Sequence, residues 1–256
     1  MLPCIPGPIP DSLINLLGSI GGAVLGAILG SAGTYYIGKK AEQRAKESER
    51  EKDDAQRVVK YSRSIYRAEV NIQTVLPFLL KDIRHLKQIA ELVKRGNTMM
   101  TLPVTIELDK GIAMNFRNEE LINHWLTACL QVDMTNQLIV DFKEYYVRTM
   151  NEIHTMLLNG QRPDDKTVRE DLETLHNFAN DVNSGIEKTF ETLLQLGALI
   201  NVHAENNNDE AVKFKTMKEV NEYKVPKTRY NKALKNLRKQ FDPTKMFQDL
   251  NTNPVD

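Results

Sequence analysis

No charged residue lies between Asp11 and Lys39, and this stretch constrains the fold more than any other. A helix of about 20 apolar residues crosses the ~30 Å hydrocarbon core of a bilayer. The segment 12–38 exceeds that length, so it is expected to be a transmembrane helix with room for tilt. Asn15, Ser19, Ser31 and Thr34 are tolerable polar interruptions. Tyr35 and Tyr36 fall where an interfacial aromatic belt belongs, just before Lys39 and Lys40. A cleaved signal peptide is the rival reading, with Gly30-Ser31-Ala32 as a small-residue cleavage site. No Lys or Arg precedes the apolar stretch, however, and it outruns the roughly 7–15 residues of an ordinary signal h-region. A buried soluble helix of this length would be expected to show a polar face, and this one shows none.

Flanking charge sets the orientation. Asp11 alone precedes the span, whereas Lys39, Lys40, Arg44 and Lys46 follow it. The positive-inside rule then places the C-terminal side in the cytoplasm and residues 1–11 outside, with the protein single-pass in the plasma (inner) membrane. Pro3, Pro6, Pro8 and Pro10 make that leader extended. Gly18, Gly22, Gly26 and Gly30 recur every four residues and share one helix face. A row of glycines lets a second helix approach closely, so self-association through the span is expected. The bland alternative is the general abundance of glycine in membrane helices.

Beyond the span the chain reads as all-α. Segment 39–57 is charged, helix-favouring and without a wide apolar stripe, and is expected to form a solvated helical stalk, with a disordered linker as the alternative. Segment 58–205 carries three long seams with alternating spacings of three and four. The first runs Val58, Tyr61, Ile65, Ala68, Ile72, Val75, Leu79, Ile83, Leu86, Ala90 and Val93, with Pro77 expected to kink it. The second starts after Asn118 as N-cap and runs from Leu121 and Trp125 to Ile153 and Met156. The third runs from Val168 and Leu172 to Ile200 and His203. Such seams bury against other helices, and the short connection before Pro163 makes the second and third antiparallel. A long antiparallel bundle of three main helices and a short fourth is expected.

One segment departs from the helical period. Val104, Ile106 and Leu108 alternate with polar residues, as do Ile112, Met114 and Phe116, around Asp109-Lys110-Gly111. This predicts a small β-hairpin at 102–116, placed at the far tip of the bundle. An irregular connecting loop is the alternative.

The tail 206–256 is basic. From Lys213 to Lys245 only Glu219, Glu222 and Asp242 oppose a long series of lysines and arginines, in a chain whose overall net charge is zero. Lys224, Lys227, Arg229, Lys232, Lys235, Arg238 and Lys239 lie in or beside a short helix expected at 228–240. The segment can pair with its own acidic bundle, meet anionic lipid, or bind nucleic acid through phosphates.

No motif commits the chain to a reaction. Its soluble part has neither a Gly-rich phosphate loop nor a nucleophile elbow, and HExxH is absent. His85, His124, His154, His176 and His203 are spread over helices, and only His154 with His176 offers a conceivable metal pair across the bundle. The distant Cys4 and Cys129 make no disulfide framework. Nothing calls for a cofactor. Three functions fit: a membrane-anchored, non-catalytic bundle that binds or senses a cytoplasmic protein; an oligomerising, membrane-perturbing effector driven by the glycine ladder; or a helical metal-dependent enzyme. The first is favoured.

Overall fold

The computed structural model describes the backbone of residues 11–94, 102–160, 165–208 and 214–242, and the side chains of 34–88, 102–156, 158–160, 166–206 and 214–242. Five α-helices and one 3-10 helix account for most of these residues, and no β-strand occurs among them. The helices are α1 (Asp11–Lys94), α2 (Glu119–Leu158), α3 (Asp165–Asn208), α4 (Met217–Glu222) and α5 (Lys227–Gln240), with the 3-10 helix Lys110–Asn115 between α1 and α2. The chain divides into two compact units, Met1–Asp54 and Ala55–Asp256.

In the first unit the backbone from Asp11 onward is helical. Every side chain described from 34 to 53 is exposed, and Lys46 pairs with Glu42 one turn away at 2.6 Å. The stretch lacks an apolar stripe and has nothing to bury. Among the described residues, no helix is long and apolar enough to cross a membrane. Most of the span expected at 12–38, including Gly18, Gly22, Gly26 and Gly30, lies on residues whose side chains are outside the described set.

The second unit is a helical bundle. Each first-seam residue from Val58 to Leu86 is buried, as are the α2 seam from Leu121 to Phe142 and the α3 seam from Leu175 to His203. Leu76 and Leu80 widen the α1 face around Pro77, whose ring sits on the exposed side. The α2 and α3 seams meet antiparallel: the Thr135 and Thr189 hydroxyls lie 2.7 Å apart, and Phe142 stacks edge-on against Phe178. Asn118 caps α2 by accepting from Leu121 N at 3.1 Å, leaving its amide N–H free to donate elsewhere.

Helix direction corrects the sequence reading. Tyr61, Ile72 and Lys87 of α1 meet His203, Gly197 and Glu187 of α3 in that order, so α1 and α3 are antiparallel. Two helices that both oppose α3 run parallel to each other. The link from α1 to α2 therefore travels back along the bundle instead of turning at its tip.

The β-hairpin expected at 102–116 is absent. Residues 102–109 are extended, and the second half winds into the 3-10 helix, opened by Asp109 accepting from Gly111 N at 2.8 Å. The period-two pattern holds in part: Ile106, Leu108, Ile112 and Phe116 face the core, whereas Val104 and Met114 are exposed. Alternation reports one buried face, not a partner strand. Side chains supply what a neighbouring strand would: Val104 N donates to Asp82, and Asn136 both accepts from Ile106 N at 3.0 Å and donates to Ile106 O at 2.6 Å.

Candidate functional site

The basic tail forms two elements. Thr216 caps α4 by accepting from Glu219 N, while the Glu219 carboxylate accepts from Lys215 N. The Asn118 amide then donates to the carbonyls of Val220 and Tyr223, tying the turn after α4 to the start of α2. α5 follows from Pro226 and contains no Asp or Glu. Its Ala233 and Leu237 are buried against α3. Leu237 fits where Gly197 lacks a side chain: a Cβ there would lie 3.2 Å from Leu237 and 3.4 Å from Ile72 of α1. Gly197 is thus a shared point of approach for three helices.

The cations of α5 separate into two groups. Arg229 donates to Asn206 Oδ1 at 2.6 Å and to Glu205 at 3.1 Å, and Arg238 pairs with Glu191. Both arginines thereby fasten α5 to α3. Lys224, Lys227, Lys232, Lys235 and Lys239 are exposed and form no ion pair among the described residues. Tail neutralisation by the bundle, one of the three expectations, applies to the arginines and not to these lysines. Of the cations flanking the expected span, Lys39, Lys40, Arg44 and Lys46 are all exposed.

Beneath the start of the tail lies a polar and aromatic cluster that the sequence did not mark as one site. Tyr61 Oη stands 2.7 Å from His203 Nδ1, with both side chains almost fully buried. Phe214 and Tyr223 pack edge-on around them. Burial lowers the His203 pKa to about 4 and raises that of Tyr61, so both are neutral near pH 7. Sealed from solvent, the pair cannot meet a substrate in this conformation. Its role is to join α1, α3 and the segment after residue 213. Only His203 signalled this in the sequence, as a polar residue closing an apolar seam.

A polar cleft of about 580 Å³ opens between α1, the extended segment and α2, past Asn71, Lys110, Cys129 and Asp133. Lys110 and Asp133 close one side at 2.7 Å. Burial raises the Cys129 thiol pKa, outweighing nearby Lys110, so the thiol is not primed as a nucleophile. A second, open groove of about 810 Å³ runs along α2 past Val147 and Met156. On the outer face of α2, Leu126, Leu130 and Met134 are spaced four apart and exposed.

Among the described residues no group of three or more His, Cys, Asp or Glu side chains is placed to hold a metal ion. His154 is exposed, and His176 bonds Asn180 on its own helix at 3.1 Å. Comparison with protein-family models, with functionally described proteins and with solved structures finds no match to this chain.

Proposed function

We propose that the chain is a membrane-tethered, non-catalytic interaction protein, anchored by residues 12–38 and presenting its helical bundle on the cytoplasmic side. The observation that carries the tether is the uncharged stretch from Ser12 to Gly38 followed directly by Lys39 and Lys40, on a helical backbone that begins at Asp11. The non-catalytic part is supported by the closed seams of the bundle, by a His203–Tyr61 pair sealed from solvent, and by a buried thiol held in its neutral form. What the bundle offers outward is surface: the lysines beside and along α5, and the apolar row Leu126, Leu130 and Met134 on α2. Asp133 is the only charged residue from Leu121 to Val140, so the exposed row lies on a weakly charged surface that suits contact with another protein.

The test is crosslinking of the full chain in its own membrane. A photoreactive residue at Leu130 is expected to give a discrete protein adduct that one at Glu51, on the exposed charged stretch, does not. No adduct from Leu126, Leu130 or Met134 would count against a protein-binding role.

The second reading, an oligomerising membrane effector, is favoured by the four-residue glycine register alone. It predicts growth arrest on overexpression that disappears when Gly22 and Gly26 become Leu. Unchanged growth in both cases leaves the interaction role standing.

A further inference from the structure

We propose that α5 divides its cations between two tasks: its arginines lock the helix to the bundle, and its lysines form a docking face for an anionic membrane surface. The division comes from how α5 sits on α3. Ala233 and Leu237 define the inner side, and Arg229 and Arg238 reach from it to Glu205, Asn206 and Glu191. Lys232, Lys235 and Lys239 follow one another at spacings of three and four, so they share one face, and all three are exposed. Lys224 and Lys227 extend the positive surface at the N-terminal end. No carboxylate occurs in the sequence from Tyr223 to Phe241, so nothing within that stretch offsets the charge.

The aromatics of the tail speak against single-stranded nucleic acid as the occupant. Single-stranded nucleic acid is held on aromatic side chains that stack with bases. Here Phe241 is buried, and Tyr223 and Tyr230 are partly buried against the core. Among the described residues, the exposed face therefore offers point charges without stacking rings or wedges. Lysine is a compact, hydrated point charge, suited to diffuse attraction by many headgroups more than to planar two-pronged recognition. Lysines that reach an anionic leaflet gain from its negative surface potential, an attraction that salt screens. The inference deepens the proposed function and rests on the tether for proximity to a bilayer; the charge pattern itself does not depend on the span.

The test uses the full chain reconstituted in vesicles of phosphatidylcholine alone or mixed with phosphatidylserine. A fluorophore attached at Thr228→Cys, in a Cys4→Ser background, reports energy transfer to a headgroup-labelled lipid. Flotation with neutral vesicles after a high-salt wash reports the span alone. The increase in transfer with phosphatidylserine reports α5. If the chain does not float with neutral vesicles, the tether fails. The face is then tested by salt-sensitive flotation with the phosphatidylserine vesicles. The expected result is transfer that rises with phosphatidylserine, falls with salt, and is lost in the variant carrying Lys232→Gln, Lys235→Gln and Lys239→Gln. The docked-to-undocked ratio in that variant should fall on the order of 100-fold. Replacing the same three lysines with arginine should retain the effect, and an unchanged melting temperature shows that the Gln variant still folds. Equal transfer in both lipid mixtures, or an undiminished response in the Gln variant, would overturn the proposal. So would binding of a DNA duplex by the full chain that the Gln variant loses while lipid composition has no effect.

Discussion

Two segments close the bundle, and they attach to it by different chemistry. Residues 102–109 are extended, so their backbone groups need partners from outside, and they take them from Asp82 and Asn136. α5 satisfies most of its own backbone and attaches through side chains: Leu237 at Gly197, Arg229 at Asn206 and Glu205, and Arg238 at Glu191. The first attachment concentrates in a few partly buried polar contacts. The second spreads over an apolar contact, two ion pairs near the surface and one bond from Arg229 to the buried Asn206. Removing one partner from a buried polar contact leaves an unmet group, whereas an exposed ion pair exchanges readily for water. The extended side should therefore be sensitive to single polar substitutions, and the α5 side tolerant of them except at Arg229, whose bond to the fully buried Asn206 follows the rule of the extended side.

The largest expected effect is on the extended side. Asn136→Leu strips the partners from both Ile106 N and Ile106 O, and should cost about 2–4 kcal/mol of unfolding free energy in denaturant titration. A loss no greater than that of a surface substitution would erase the contrast between the two segments.

Acid should produce an effect of similar size at the start of the tail. The pKa of His203 is lowered by burial to about 4, whereas an unfolded histidine titrates near 6.5. Its contribution is fully present above pH 6.5, declines as pH falls toward 4, and is constant below that. The total decline is about 3 kcal/mol. The rings in contact with it, Tyr61 and Tyr223, carry no negative charge at these pH values, so neither would hold a buried imidazolium. In His203→Gln this part of the slope should vanish, while the rest of the acid response, from carboxylates, remains.

On the α5 side the effects should be smaller. Arg238→Gln removes one exposed ion pair and should cost less than about 1 kcal/mol. Lys235→Gln should leave the melting temperature unchanged, because that side chain is exposed and forms no hydrogen bond or ion pair among the described residues. A large loss from Lys235→Gln would mean that the outer face is held by contacts not assigned to it here.

How much of this was legible in the sequence follows the same contrast. Seams depend on spacing alone, and Val58 to Leu86, Leu121 to Phe142 and Leu175 to His203 lie where the three- and four-residue steps place them. The cap at Asn118 was legible for the same local reason. Helix direction was not, because a seam identifies a face and not the polarity of its neighbour. That omission put the 102–116 segment at the tip, while its alternation, which reports a buried face, suggested a strand partner it does not have. Asn136 carried no signal, since a polar residue beside a seam looks like solvent-facing surface. A charge count also could not separate Arg229 and Arg238 from the lysines between them. The separation comes from the rotation of α5 on α3, a tertiary property.

The central claim is that residues 12–38 hold the chain in a bilayer, and alkaline extraction of membranes carrying the full-length chain tests it most directly. The account predicts that the intact polypeptide, with its N-terminus uncleaved, stays in the membrane pellet and is released only by detergent. Recovery of the full-length chain in the aqueous supernatant, or a mature N-terminus near Gly33, would contradict it.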